Sequence, residues 1–179
     1  MNAHDDLRIK EPAACSESER EEFAHLVREG FRGSDESLPG RIERSRSLAF
    51  YYGADESLGA IAGLKSPGDG HRRRVFEKAS LSASPDAFAV ELGWVYVTPP
   101  SRRRGVAGKL CRGLLASASG EGVFATTRPD NAPMIHLLRT LGFERAGRPF
   151  SRRDELLSVY LRPGRDAGGA PGARGGGGE

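Results

Sequence analysis

Residues Val95–Lys109, VYVTPPSRRRGVAGK, read as the end of a strand, a proline-bearing turn and a basic, glycine-bearing entry into a helix. This order suits a pyrophosphate. The first-turn amides of a helix lack intrahelical partners and point outward, and the helix dipole adds partial positive charge at the same end. Gly105, Ala107 and Gly108 keep the surface low, so a phosphate can approach the backbone. Arg102, Arg103 and Arg104 stand beside it as charge-assisted forks for further phosphate oxygens. Two familiar phosphate loops are excluded. A Walker A loop needs glycine where Arg103 stands and Ser or Thr where Leu110 stands. A GxGxxG loop needs a third glycine in register with Gly105 and Gly108, and there is none.

Upstream, Phe88–Val97 (FAVELGWVYV) is the longest strand-like run, and Leu58–Leu64 (LGAIAGL) and Ser47–Tyr52 (SLAFYY) read as two earlier strands joined by a short link. Between residues 65 and 87 lies an insertion whose centre, His71–Ala79, predicts one or two helical turns. Residues 32–47 are polar and broken by Pro39-Gly40, with at most a short helix ending near Arg46. Before them Phe23, Leu26, Val27 and Phe31 recur at helical spacing behind two overlapping capping-box patterns, Ser16 with Glu19 and Ser18 with Glu21. Leu7–Lys10 completes the upstream set as a short strand.

Downstream, Val106, Leu110, Cys111, Leu114, Leu115 and Ala118 mark a helix, and Val123–Thr127 a strand. Asp130-Asn131 followed by Pro133 opens a helix that Gly142 stops, since proline is tolerated in a first turn. Phe143–Ala146 and Glu155–Leu161 predict a closing hairpin. The expectation is an α/β protein with a mixed central sheet flanked by helices, its single domain covering residues 1–162. Residues 163–179 form a Gly-rich tail, expected to be disordered.

Composition narrows the classes. Hydrophobic content of 37% and charged content of 28% are those of a packed globular domain, and 179 residues suit one such domain. A net charge of +3 is too mild to call for nucleic acid, and solvated arginine is the expected state of Arg72–Arg74 and Arg152-Arg153. The two cysteines, Cys15 and Cys111, form no disulfide framework or zinc spacing, so no metal site is expected. MNAHDDLRIK lacks the basic and apolar regions of a signal peptide, and no run approaches membrane-spanning length, so a cytoplasmic location is expected.

The run Arg102-Arg-Arg-Gly105-Val-Ala107 resembles the acyl-CoA loop of the GNAT superfamily of N-acetyltransferases, Arg/Gln-x-x-Gly-x-Gly/Ala. Its context matches too, with a strand ending Val-Thr-Pro before it and an apolar-faced helix after it. Further on, Asn131-Ala-Pro-Met-Ile-His-Leu-Leu-Arg-Thr-Leu-Gly-Phe143 resembles the family's next helix. The resemblance spans roughly residues 48 to 161. It implies the GNAT fold, acetyl-CoA as cosubstrate, and direct transfer of the acetyl group to an amine.

Residue by residue, the resemblance implies that the strand before the loop splays from its neighbour and pairs its backbone at Val95 and Val97 with the pantetheine arm. Amides from Arg103 through Gly105, Val106, Ala107 and Gly108 then cradle the pyrophosphate, and Arg102, Arg103 or Arg104 reaches the nucleotide phosphates. Asn131 caps its helix or touches the pantetheine, the cap being the simpler role. Glu91 occupies the position of a general base in one branch of the family. It lies six residues before Val97, an even spacing that puts its side chain on the same strand face. A carboxylate of raised pKa there can take the proton of an arriving ammonium. Many members place a tyrosine in the later helix to protonate the departing thiolate, whereas the matching position here is Leu138. A thiol pKa of about 8.5 lets the thiolate leave without a dedicated acid. A small-molecule amine is the favoured acceptor. A protein or aminoacyl amine, or a non-catalytic acyl-CoA- or nucleic-acid-binding module on the same fold, stands as the alternative, and a homodimer is left open.

Overall fold

The computed structural model describes residues 6–31 and 36–165. Seven strands form one sheet in the order β1-β2-β3-β4-β5-β7-β6. They are β1 (Asp6–Lys10), β2 (Ser47–Tyr52), β3 (Leu58–Lys65), β4 (Val90–Val97), β5 (Val123–Thr127), β6 (Glu144–Arg152) and β7 (Glu155–Arg162). Only β4 and β5 run parallel, as the connection through α4 (Val106–Ser117) requires; every other pair is antiparallel.

Alternation along the strands sorts two cores. One face carries Ala49, Tyr51, Ala60, Ala62, Leu64, Leu92, Val123 and Ala125 against α4 and α5 (Ala132–Thr140). The other carries Leu48, Phe50, Ile61 and Trp94 against α1 (Glu17–Gly30) and α2 (Leu38–Glu43). On the same face Phe124, Phe150 and Val159 pack under Val75 and Phe76 of α3 (Asp69–Lys78). Ser16 and Glu19 form the reciprocal capping box of α1, and Phe23 sets its ring edge-on to Phe50 at 5.5 Å and to Trp94 at 5.9 Å. Pro39 lies in the first turn of α2, where its missing N–H costs nothing, so Pro39-Gly40 starts a helix rather than breaking one.

Three expectations change. The insertion is a helix of 10 residues, longer than one or two turns, because Val75 and Phe76 give it an apolar stripe to bury. Strand β6 extends to Arg152, well beyond Ala146, and turns at Arg153 and Asp154, both at positive φ, as a two-residue hairpin needs. The register of β6 shifts between Ala146 and Phe150, and there Arg148 N–H donates to Ala79 O at the end of α3. Third, Arg165 N–H donates to Gly120 O at 2.8 Å, so residues 163–165 pack against the α4–β5 turn rather than beginning a free tail. The rest of the tail, residues 166–179, lies outside the described residues.

Candidate active site

The loop after β4 is held down on β3. Thr98 donates both its N–H and its hydroxyl to Gly59 O, each at 2.9 Å. Ser101 lies directly over Gly59, where any Cβ would overlap its hydroxyl. From this clamp the chain turns through Arg103 (φ 60°) and Gly105 (φ 71°), and Gly105 is the N-cap residue of α4. The left-handed conformation favours glycine at this position. Lys109 N–H donates to Gly105 O at 3.2 Å, so the amides of Val106, Ala107 and Gly108 precede the helical ladder and face out of its end. The space over Gly105 is open to 4 Å. Val106 is buried, whereas Ala107 and Gly108 in the same turn are half-buried. Arg102, Arg103 and Arg104 are all exposed; Arg102 Nε donates to Val97 O at 3.1 Å.

Pairing between β4 and β5 covers Val90–Leu92 against Val123–Ala125 and goes no further. Beyond that apex, residues 93–97 of β4 diverge from β5, and their edge leads to the open end of α4. Val95 and Val97 both pack toward the α4 face. Asn131 caps α5 on that face, its Oδ1 accepting from Met134 N–H at 3.3 Å. Leu138 is fully buried in the same core.

Glu91 stands elsewhere. The β3–β4 register shifts between Ile61 and Gly63, and Trp94 sits at φ 52°. This bulge inserts one residue and inverts the side-chain alternation. Glu91 therefore points to the α1–α3 face, with Trp94 and Tyr96, while Val95 and Val97 point to the other. The even-spacing expectation is corrected by that single extra residue. Two glycines make room for the bulge. A Cβ on Gly63 would lie 2.7 Å from the Trp94 ring, and one on Gly93 would lie 2.8 Å from Lys65 Nζ.

Glu91 is 4% exposed and ion-paired to Lys65, whose Nζ is 2.7 Å from Oε1; His71 Nε2 lies 3.7 Å from Oε2. Thr126 on β5 donates to Oε1 at 3.4 Å. Burial pushes the Glu91 pKa up, but Lys65, with His71 and Arg152 behind it, outweighs burial and holds the carboxyl below its ordinary 4.5. The expected raised pKa is thus reversed by a partner that lies 26 positions upstream. His71 is moved below its ordinary 6.5, chiefly by burial, so it is neutral at pH 7. Glu91, Lys65, His71 and Arg152 line a cavity of about 220 Å³ that also takes in Arg41, Arg44, Pro67 and Trp94.

The structure thus gathers Arg102–Gly108 at one helix end, with Val95 and Val97 leading to it. Glu91 lies on the opposite face, beside the apex where the two strands part. Sequence reasoning missed Lys65, His71 and Arg152 as neighbours of Glu91. Arg152 lines the cavity instead of solvating freely, and Arg72, also expected in solvent, is largely covered and pairs with Asp69 and Asp86. A local signal for the bulge did exist, an isolated Gly93 inside a strand pattern. Cys111, read as core, is fully buried, and burial pushes its thiol up to about 12.

Residues 14–143 match the model of the acetyltransferase (GNAT) family. No curated protein matches the chain at significant similarity. Among solved structures, an acyl-CoA N-acyltransferase from Pseudomonas aeruginosa superimposes with a TM-score of 0.66 at 16% identity, over 89% of this chain and 99% of that one. YncA from Salmonella typhimurium, a putative acetyltransferase solved with acetyl-CoA, gives 0.61 at 21% identity over 95% and 99%. NAA60 from Arabidopsis thaliana, solved with a bisubstrate analogue, gives 0.60 at 16% identity over 87% and 95%. Among the described residues, no helix is long and apolar enough to cross a membrane.

Proposed function

The chain belongs to the acetyltransferase (GNAT) family, and on that premise we propose that it moves an acetyl group from acetyl-CoA directly to the primary amine of a small-molecule acceptor. The observation that carries this reading is the parting of β4 from β5 beyond Leu92, which leads to the unpaired amides at the start of α4. An extended pantetheine arm fits such an open strand edge, and a pyrophosphate fits the helix end. When bound, acetyl-CoA supplies the activated acetyl group.

The chain's own residues divide the remaining work. Amides from Arg103 to Gly108 hold the pyrophosphate, and Arg102, Arg103 and Arg104 hold nucleotide phosphates. The backbone at Val95 and Val97 lines the arm, and the Asn131 amide, capping α5 through Oδ1, offers its NH₂ to it. Glu91 lies one residue from the apex, on the face opposite the pyrophosphate site, so the acceptor approaches from the α2–α3 side. There its ammonium proton passes to Glu91. The freed nitrogen bonds the acetyl carbon as the carbon–sulfur bond breaks, the electron pair leaves on sulfur, and the second nitrogen proton is lost to the thiolate, giving the neutral amide and free thiol. Displacing Lys65 raises the basicity of Glu91, because it removes the largest influence that opposes burial of the carboxylate.

The test is release of free thiol from acetyl-CoA against a broad panel of amines, with each acetylated product confirmed by mass. At least one small amine should give stoichiometric thiol and N-acetyl product. Acetyl-CoA binding with no transfer to any amine, or transfer confined to protein amines, overturns the proposal.

A further inference from the structure

The cavity around Glu91 is built for a charge that the acceptor amine does not carry. One carboxylate, Glu91, is ringed by Arg41, Arg44, Lys65 and Arg152, with a His71 that burial keeps neutral. Those cations come from three separate places: α2 with its C-terminal cap, the end of β3 and the end of β6. Their convergence is therefore tertiary, not one basic run folded onto a surface. An aliphatic ammonium entering alone would meet net repulsion there. From this convergence we infer that the cavity selects amine acceptors bearing an anionic group, a carboxylate or a tetrahedral oxyanion such as a phosphonate, held by Lys65 and Arg152.

The inference rests on the proposed transferase reading for its amine but not for its anion. Lys65 is suited to changing partners. Its side chain crosses Gly93 and is 22% exposed, and its ammonium is also 5.3 Å from the Trp94 ring. Arg152 sits at the β6–β7 hairpin and acts electrostatically on both Glu91 and His71. An acceptor anion that draws Lys65 away from Glu91 leaves that carboxylate beside the arriving ammonium. Anion recognition and proton acceptance are thereby joined in one event. The cavity volume of about 220 Å³ equals several water volumes and suits an acceptor of amino-acid size. Trp94 and Pro67 offer its apolar part a wall.

The experiment compares leucine, leucinamide, isopentylamine and the phosphonate analogue of leucine as acceptors, by kcat/KM for thiol release. The anionic probes should exceed leucinamide by about tenfold to a hundredfold, the range for hydrogen bonds to charged groups. Faster turnover of leucine assigns the site to carboxylates, and faster turnover of the phosphonate assigns it to tetrahedral oxyanions. Lys65→Met with Arg152→Met should bring the leucine-to-leucinamide ratio close to one, while Lys65→Arg, which keeps the charge and tests against misfolding, retains most of it. A second measurement needs no turnover: calorimetric binding of N-acetylleucine against N-acetylleucinamide to the wild-type protein, the anion expected at least about tenfold tighter. If no amine is acetylated but this binding preference holds, the transferase reading falls and the anion site stands. If amines are acetylated but leucinamide or isopentylamine equals or exceeds the anionic probes, the anion site is overturned and the transferase reading stands. Equal binding of the two N-acetyl probes also overturns it.

Discussion

Lys65 Nζ reaches Glu91 Oε1 at 2.7 Å by crossing β4 over Gly93, so the candidate base is held in its charged form by a neighbour on the adjacent strand. The two residues are directly paired in the β3–β4 register. Because the carboxylate is buried, the pair governs both how the site titrates and what Glu91 can do as a proton acceptor.

Glu91→Gln keeps shape and hydrogen-bonding reach but cannot take a proton. Turnover should fall by about 10²- to 10⁴-fold, while acetyl-CoA affinity barely moves, since the site proposed for it lies on the other face of the sheet. The residual rate should recover as pH rises and more acceptor arrives neutral. Steady-state kinetics with a cofactor thermal shift on the same variant separates the two effects; a loss that tracks weaker cofactor binding would refute the assignment.

The same pair predicts a pH dependence of stability. The folded carboxyl titrates below its ordinary 4.5, so the unfolded chain binds the extra proton. The stabilisation is therefore complete above pH 4.5 and is lost as pH falls through the folded value. Urea unfolding of wild type and Glu91→Gln at about pH 7 and about pH 3 should show the wild-type advantage shrinking in acid. An advantage that grows in acid would mean the carboxylate is not held ionised.

Gly105→Glu puts bulk and negative charge over the open end of α4, at a residue with φ 71°. Acetyl-CoA should stabilise the wild-type protein by mass action and fail to stabilise this variant. The unliganded variant should itself lose only about 1–2 kcal/mol, the cost of a left-handed non-glycine residue. An undiminished thermal shift would remove the pyrophosphate site from this loop.

Leu138→Tyr does not install an acid. The position is fully buried in the α4–α5 core, so a ring and hydroxyl there should cost about 1–3 kcal/mol through overpacking. Turnover should not rise; a faster enzyme of unchanged stability would show that the side chain reaches the thiolate.

Gly147→Ala tests whether the β6 bulge positions Arg152. Gly147 has φ 63°, and a Cβ there would overlap Ala79 O at the end of α3. The substitution should cost at least about 2 kcal/mol in urea unfolding, from strain plus a backbone clash. Acceptor KM should rise more than acetyl-CoA affinity falls, since β6 borders the cavity and not the helix end.

The half of the site proposed for the cofactor was legible in the chain itself. Strand, proline turn, Gly105 and the apolar stripe of α4 are local features. A left-handed glycine and a helix end dictate their own geometry within about ten residues, whatever packs around them. The same locality gave away the capping box of Ser16 and Glu19 and the cap at Asn131.

The half proposed for the acceptor was decided by the tertiary structure. Counting residues from Glu91 to Val97 assumes an unbroken alternation, and one bulged residue, set by Trp94 packing on Gly63 and Phe23, overturns it. Likewise, the basicity of Glu91 depends on Lys65, His71 and Arg152, which only the pairing of β3 with β4, the docking of α3 and the return of β6 bring near. Sequence alone determined which groups line the chain. Which face they share, and what charge each one meets, followed from pairing and packing between residues far apart along it.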